Sequence, residues 1–356
     1  MKNQILELSK KLITIPSTKE NPAKLKEVIE FVKKYLQGFT YKEFEKNGSP
    51  SILFYNTKTL PKRFKIILNA HLDVVPAKKE QYQPSVKGNR LYGRGAIDMK
   101  AAAAAEIILF KELAKKINYP LALQLVTDEE IGGHHGVLHQ LKEKVHGDFI
   151  IAGEPTDFGI NNLAKGVLWL KIKVSGKSAH GAHLWEGENA IWKMTRILEK
   201  IEKAFPVPKK EVWKTTVNLS KIETNNITMN KVPDDCSITL DIRYLPEEKK
   251  QIIGKIKSLL PKYCHVEVVQ FEPPQYTAEK NAYITRLKSV IKHITGKKPK
   301  MSATHGASDV RHFNEYGCDG ITFGPAGYGL HTDNEWVNIK SLYQFYEVLK
   351  PFLLKI

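Results

Sequence analysis

Phe64-Lys65-Ile66-Ile67-Leu68-Asn69-Ala70-His71-Leu72-Asp73 is an apolar run of strand length that ends in a histidine and an aspartate. Phe64 to Leu68 reads as a buried strand, and in an α/β sheet the end of such a strand is the ligand-binding edge. On an extended segment His71 and Asp73, two residues apart, share a face. A neutral imidazole is a good ligand for zinc or manganese, and a neighbouring carboxylate can hold its second nitrogen. Taken alone, the same His-x-Asp spacing fits a structural histidine beside a turn equally well. Outward from this stretch, Ile52 to Tyr55, Leu121 to Val126 and Phe149 to Ala152 are apolar runs of the same kind. The alanine-rich Met99 to Lys116 reads as a helix between them. Two N-terminal helices, with apolar positions from Ile5 to Ile13 and from Leu25 to Leu36, are split by the turn from Pro16 to Pro22. Strands alternating with helices predict an α/β fold with a mainly parallel sheet.

The middle of the chain follows another pattern. Leu168, Leu170, Ile172 and Val174 alternate with Trp169, Lys171 and Lys173, which describes a strand wet on one face. A helix-period stretch from Ala190 to Ile201 follows, then strands at Val212 to Leu219 and Ser237 to Tyr244, a helix near Glu247 to Leu260, and a strand at Val266 to Phe271. That β-α-β-β-α-β order is the split motif of a ferredoxin-like sandwich, with one sheet face under helices and the other open to a partner. With 356 residues, the chain exceeds what one core usually accommodates. The expected organisation is a larger domain of residues 1–163 and 272–356, interrupted by an inserted α+β domain of residues 164–271.

Composition narrows the function classes. A net charge of +17 invites a nucleic-acid reading, but the basic residues are dispersed among acidic ones, with pairs such as Lys209-Lys210 and Lys297-Lys298 the longest runs. No nucleic-acid partner is expected, although the excess charge can draw in anionic substrates. Cys236, Cys264 and Cys318 are odd in number and lack C-x-x-C spacing, which argues against a disulfide framework and for a reducing compartment. Lys10 and Lys11 interrupt any secretory signal, and no run approaches the ~20 apolar residues that span a bilayer. A cytoplasmic protein with no membrane association is expected.

Acidic residues recur at the ends of the apolar runs. Asp98 closes a glycine-bearing loop, Gly93-Arg94-Gly95-Ala96-Ile97-Asp98, where it suits either a metal or the N-cap of the following helix. Glu129 and Glu130 follow Leu121 to Val126, and Glu154 follows Phe149 to Ala152. A second imidazole, His331, follows the short strand candidate Gly320 to Gly324. Two histidines with three or four carboxylates are what a two-metal hydrolase needs: one carboxylate bridging ions about 3.5–4 Å apart, one left unliganded as base, and a polarised water between. His134, His135 and His139 include a helical i,i+4 pair but lack the glutamate of H-E-x-x-H, and read as surface residues.

Taken in order, NAHLDVVP, GRGAIDMK, TDEEIGG, AGEP, GKSAHG, NKVPDDC with DIRYLP, and GLHTDNE make the chain resemble the M20 metallopeptidases and deacylases over nearly its whole length. The resemblance implies that His71 and Glu154 bind one ion, Glu130 and His331 the other, and that Asp98 bridges. It implies further that Asp73 orients His71 and that Glu129 is the general base. His180 would reach the partner subunit's site in a homodimer to stabilise the oxyanion, with the insert as dimerisation or lid domain. Arg243, Asn230 and Ser308 would contact substrate. The implied cofactors are two divalent ions, zinc first and cobalt or manganese as alternatives. The implied reaction is hydrolysis of an amide in a small N-acyl amino acid by deacetylation or desuccinylation. The alternatives are a dipeptidase or carboxypeptidase-like enzyme cutting short peptides, and a non-catalytic dimeric binding protein. His305 and Ala307 depart from the desuccinylase version of the loop that contains Ser308.

Overall fold

The computed structural model describes residues 1–356, which divide into two compact units. The larger comprises Met1–Leu163, Tyr276–Ala303 and Ser308–Ile356, and the smaller Ala164–Gln275 with Thr304–Ala307.

The larger unit is built on a sheet ordered Thr40–Lys46, Ser49–Tyr55, Leu121–Val126, Phe64–His71, Gly147–Ala152, Asp319–Thr322 and Ile160–Ala164. Phe64–His71 lies between two parallel neighbours, and Asp319–Thr322 extends the parallel set. Every residue of Leu121–Val126 is buried, which explains its unbroken apolar run. The helix Lys100–Leu113 packs on this sheet and on the helices Lys2–Ile13 and Ile339–Leu354. Ala101 to Ala105 are all buried, so their small side chains let that helix approach its neighbours closely. Asn21 caps the second N-terminal helix, Pro22–Tyr35, by accepting a hydrogen bond from the Lys24 amide.

A second, four-stranded sheet was not foreseen. It runs Gly327–Tyr328, Trp336–Asn338, Arg90–Tyr92, Ser85–Lys87, with Trp336 opposite Tyr92 and Val337 opposite Leu91. Strands of two or three residues are too short to show periodicity.

The smaller unit has strands Gly166–Ser175, Thr216–Glu223, Asp235–Tyr244 and His265–Glu272 and helices Ala190–Ala204 and Ile252–Leu259. The sheet order, second-third-first-fourth, and its antiparallel registers are those of a ferredoxin-like sandwich. Leu168, Leu170, Ile172, Ile238, Leu240 and Ile242 form its core with Met194, Ile197 and Ile256 from the helices. Two boundaries differ from expectation. The strand expected from Val212 begins at Thr216, and the helix expected from Glu247 begins at Ile252 because Pro246–Glu248 forms a separate 3-10 turn. No helix is long and apolar enough to cross a membrane.

Candidate metal centre

The carboxyl ends of three adjacent parallel strands deliver most of the site. Phe64–His71 ends on His71, Leu121–Val126 leads to Glu129 and Glu130, and Gly147–Ala152 leads to Glu154. His71 Nε2 lies 3.0 Å from Asp98 Oδ1 and 3.9 Å from Glu154 Oε1. His331 Nε2 lies 3.2 Å from the other oxygen of Asp98, Oδ2, and 3.1 Å from Glu130 Oε2. Asp98 therefore divides its carboxylate between two triads, His71–Asp98–Glu154 and Asp98–Glu130–His331. It does not cap the following helix: the N-cap position is Met99, and no side chain caps it.

These donors fit divalent ions. A tetrahedral ion with bonds of about 2.0–2.2 Å holds its ligand atoms roughly 3.3–3.6 Å apart. The donor separations, 3.0–3.9 Å, span that range. The protonation pattern agrees. Burial pushes Glu154 up to about 8 and, with the Glu154 charge added, pushes Glu129 well above the ordinary carboxylate range. Burial disfavours a charged His71, yet hydrogen bonds with Asp73 and Asp98 carry its pKa well above the usual imidazole value. Asp98 and Glu130 hold His331 at about 10. Burial opposes a charged Asp98, but His331 and His71 hold it below the usual range.

A second layer of contacts holds these candidate donors. His71 Nδ1 donates to the Asp73 carbonyl at 3.0 Å and lies 3.5 Å from Asp73 Oδ1, which directs Nε2 toward Asp98. Asp73 Oδ2 accepts from the Glu130 amide at 3.0 Å, so one carboxylate ties the two strand ends together. The turn after Glu130 needs Gly133: its φ is +67°, and a Cβ there would lie 2.0 Å from Asp309 Oδ1. Glu129 is half-buried beside the triads and belongs to neither.

The other expected residues belong to neither triad. Ser308 is buried, and its carbonyl accepts from Arg311 Nη1 at 2.7 Å. His135 and His139 do not form a helical pair, because the helix Val137–Lys142 starts after His135. In the smaller unit, His180 Nδ1 accepts from the Ala182 amide at 3.1 Å, which leaves the ring proton on Nε2 as an outward donor. The Gly181 amide donates to the Asn230 carbonyl at 2.6 Å, so the exposed His180 and Asn230 loops adjoin. Arg243 does not stand free: Nε and Nη2 pair with Asp241 at 3.0 and 3.3 Å, leaving Nη1 for any further carboxylate. Sequence reading also missed Lys165, which is 1% exposed with its ammonium 5.7 Å from the Trp213 ring centroid.

Residues 67–355 match the model of peptidase family M20/M25/M40. The chain belongs to this family. This M20 chain is 29% identical to a succinyl-diaminopimelate desuccinylase of Pelagibacter ubique, covering 98% of its own length and 97% of the relative's. It is 30% identical to the enzyme of that name from Ehrlichia ruminantium, over 80% and 79% of the two chains. In fold it resembles aminopeptidase PepT from Bacillus cereus, with TM-score 0.81, 19% identity and 99% and 98% coverage. It also resembles the metallo-carboxypeptidase Sso-CP2 from Sulfolobus solfataricus, with TM-score 0.77, 19% identity and 98% of each chain covered. The protein is a metal-dependent amidohydrolase acting on small acyl amino acids or peptides.

Proposed function

We propose that this enzyme removes a short acyl group, succinyl foremost, from an amino acid, using two divalent ions held by His71, Asp98, Glu130, Glu154 and His331. The observation that carries the reading is the division of the Asp98 carboxylate between two histidine-containing triads, with Glu129 beside them. Zinc suits an imidazole and carboxylate donor set. Desuccinylases matched along nearly the full chain support the succinyl group, and the +17 charge favours an anionic substrate.

When bound, such ions would polarise the scissile carbonyl and make an attacking water acidic near neutral pH. Glu129 takes that water's proton and returns it to the leaving amine, a task suited to a carboxyl whose burial raises its pKa. Asp73 keeps His71 turned toward the site. The smaller unit serves as a dimerisation and lid domain, and His180 offers Nε2–H to the developing oxyanion of the partner subunit's site, near Asn230. Three unpaired cysteines support a cytoplasmic setting.

The deciding experiment is hydrolysis of a panel of N-succinyl, N-acetyl and dipeptide substrates by metal-reconstituted protein, with metal content measured on the same sample. Release of a free amino acid from N-succinyl substrates, blocked by chelator, is expected. Preferential cleavage of dipeptides would replace the acyl reading with a peptidase, and chelator-insensitive turnover would remove the ions from the chemistry.

A further inference from the structure

Glu335 is 2% exposed and forms an ion pair with Arg94, itself 3% exposed. Its Oε2 accepts from Arg94 Nη1 at 2.5 Å. Its Oε1 accepts from two successive amides, those of Ile97 at 3.0 Å and of Asp98 itself at 3.2 Å. One carboxylate thus holds three donors of the loop that ends in the shared ligand Asp98. The same residue lies four positions after His331, the ligand that shares Asp98 with Glu130.

The small sheet explains why the two loops meet. Pairing of Trp336 with Tyr92 sets Glu335 against Gly93, whose amide donates to the Glu335 carbonyl at 3.2 Å. Gln81 adds a second tie, accepting from the Arg94 amide at 2.8 Å and donating to the Thr332 carbonyl at 3.0 Å. His331 sits at φ +61°, a left-handed conformation that a non-glycine residue keeps only where its surroundings enforce it.

We propose that Glu335, with Arg94 as its counter-ion, is the positioning residue that brings Asp98 and His331 into one metal-binding geometry. The proposal rests on the two-ion reading above. Glu335 belongs to neither triad; it acts through the Asp98 amide and through the backbone that carries His331. The ion held by Asp98, Glu130 and His331 depends on it most, because the His71–Glu154 side rests on strand ends that Glu335 does not contact.

The test compares wild type, Glu335→Gln, and the double variant Arg94→Gln with Glu335→Gln, which leaves no lone buried charge if the single variant fails to fold. Zinc affinity for each equivalent is measured by chelator competition, the absorption of the cobalt-loaded protein reports ligand geometry, and thermal midpoints are taken metal-free. In folded variants we expect one of two equivalents to weaken by about 10- to 100-fold, with an altered cobalt spectrum. Two equivalents of unchanged affinity and spectrum beside a lowered midpoint would make the pair purely structural and overturn the proposal. Wild type that binds no divalent ion would instead overturn the two-ion reading, and this role with it.

Discussion

At the scale of single residues, His331 is the only exposed side chain among the five proposed ligands, and its proton is held by the carboxylates an ion would use. Asp98 and Glu130 raise its pKa to about 10, so near neutral pH the metal-free ring is protonated and that proton must leave before Nε2 can bind an ion. The sign follows: raising the pH toward 10 removes a competitor, so affinity increases, and metal uptake at pH 7 releases protons. Calorimetry of zinc binding in buffers of different ionisation enthalpy should show about one or more protons released per ion entering that triad. Zero release would contradict the protonated His331. The chemistry limits candidate ligands to a few residue types, which made His71, Asp98, Glu130, Glu154 and His331 stand out in the sequence, but none was decisive alone and their grouping came from the motif resemblance. The pairing of Arg243 with Asp241 was not legible, because residues two apart on a strand share a face without having to touch.

At the scale of elements, Asp235–Tyr244 is one of the two inner strands of the smaller unit's sheet and alternates between buried and part-exposed residues along its length. Leu240 is fully buried against the helix-packed face. Leu240→Ala should destabilise the unit by about 2–5 kcal/mol, because the cavity it leaves closes only partly. Denaturant unfolding checks this: a lowered midpoint with an unchanged slope is expected, and a shift worth less than about 1 kcal/mol would mean that the site collapses freely. The alternation made this strand readable in the sequence. Thr216–Glu223, at the sheet edge and largely exposed, shows no such pattern, and its start was misplaced by four residues, at Val212 rather than Thr216. The two- and three-residue strands that support the Arg94–Glu335 pair carry no periodic signal at all.

At the scale of the whole molecule, the proposed homodimer makes each site a composite of two chains, with Glu129 from one and His180 from the other. Glu129→Gln and His180→Ala homodimers should each lose activity, by about 10²–10⁴-fold for the base and 10²–10³-fold for the oxyanion donor. Randomly mixed subunits of the two variants should regain about a quarter of wild-type activity, because half the dimers then hold one intact site. Activity in the mixture no greater than the average of the parents would place Glu129 and His180 of the same chain in one site, or remove His180 from the chemistry. Lysine and arginine outnumber aspartate and glutamate, 55 to 38, so the enzyme presents a positive field that favours anionic over cationic substrates whichever subunit supplies the histidine.

Apolar periodicity and strand-end chemistry determined the α/β sheet, the ferredoxin-like insert and the acidic and histidine residues at the sheet edge. Both signals are local: a side chain's solubility and its place in a short repeat are properties of the sequence itself. Tertiary structure decided which oxygen of Asp98 faces which histidine, the outward Nε2–H of His180, the partner of Arg243, and the buried Arg94–Glu335 pair. Arg94 and Glu335 stand 241 positions apart in the chain, and only the folding of two short strands against each other brings them together.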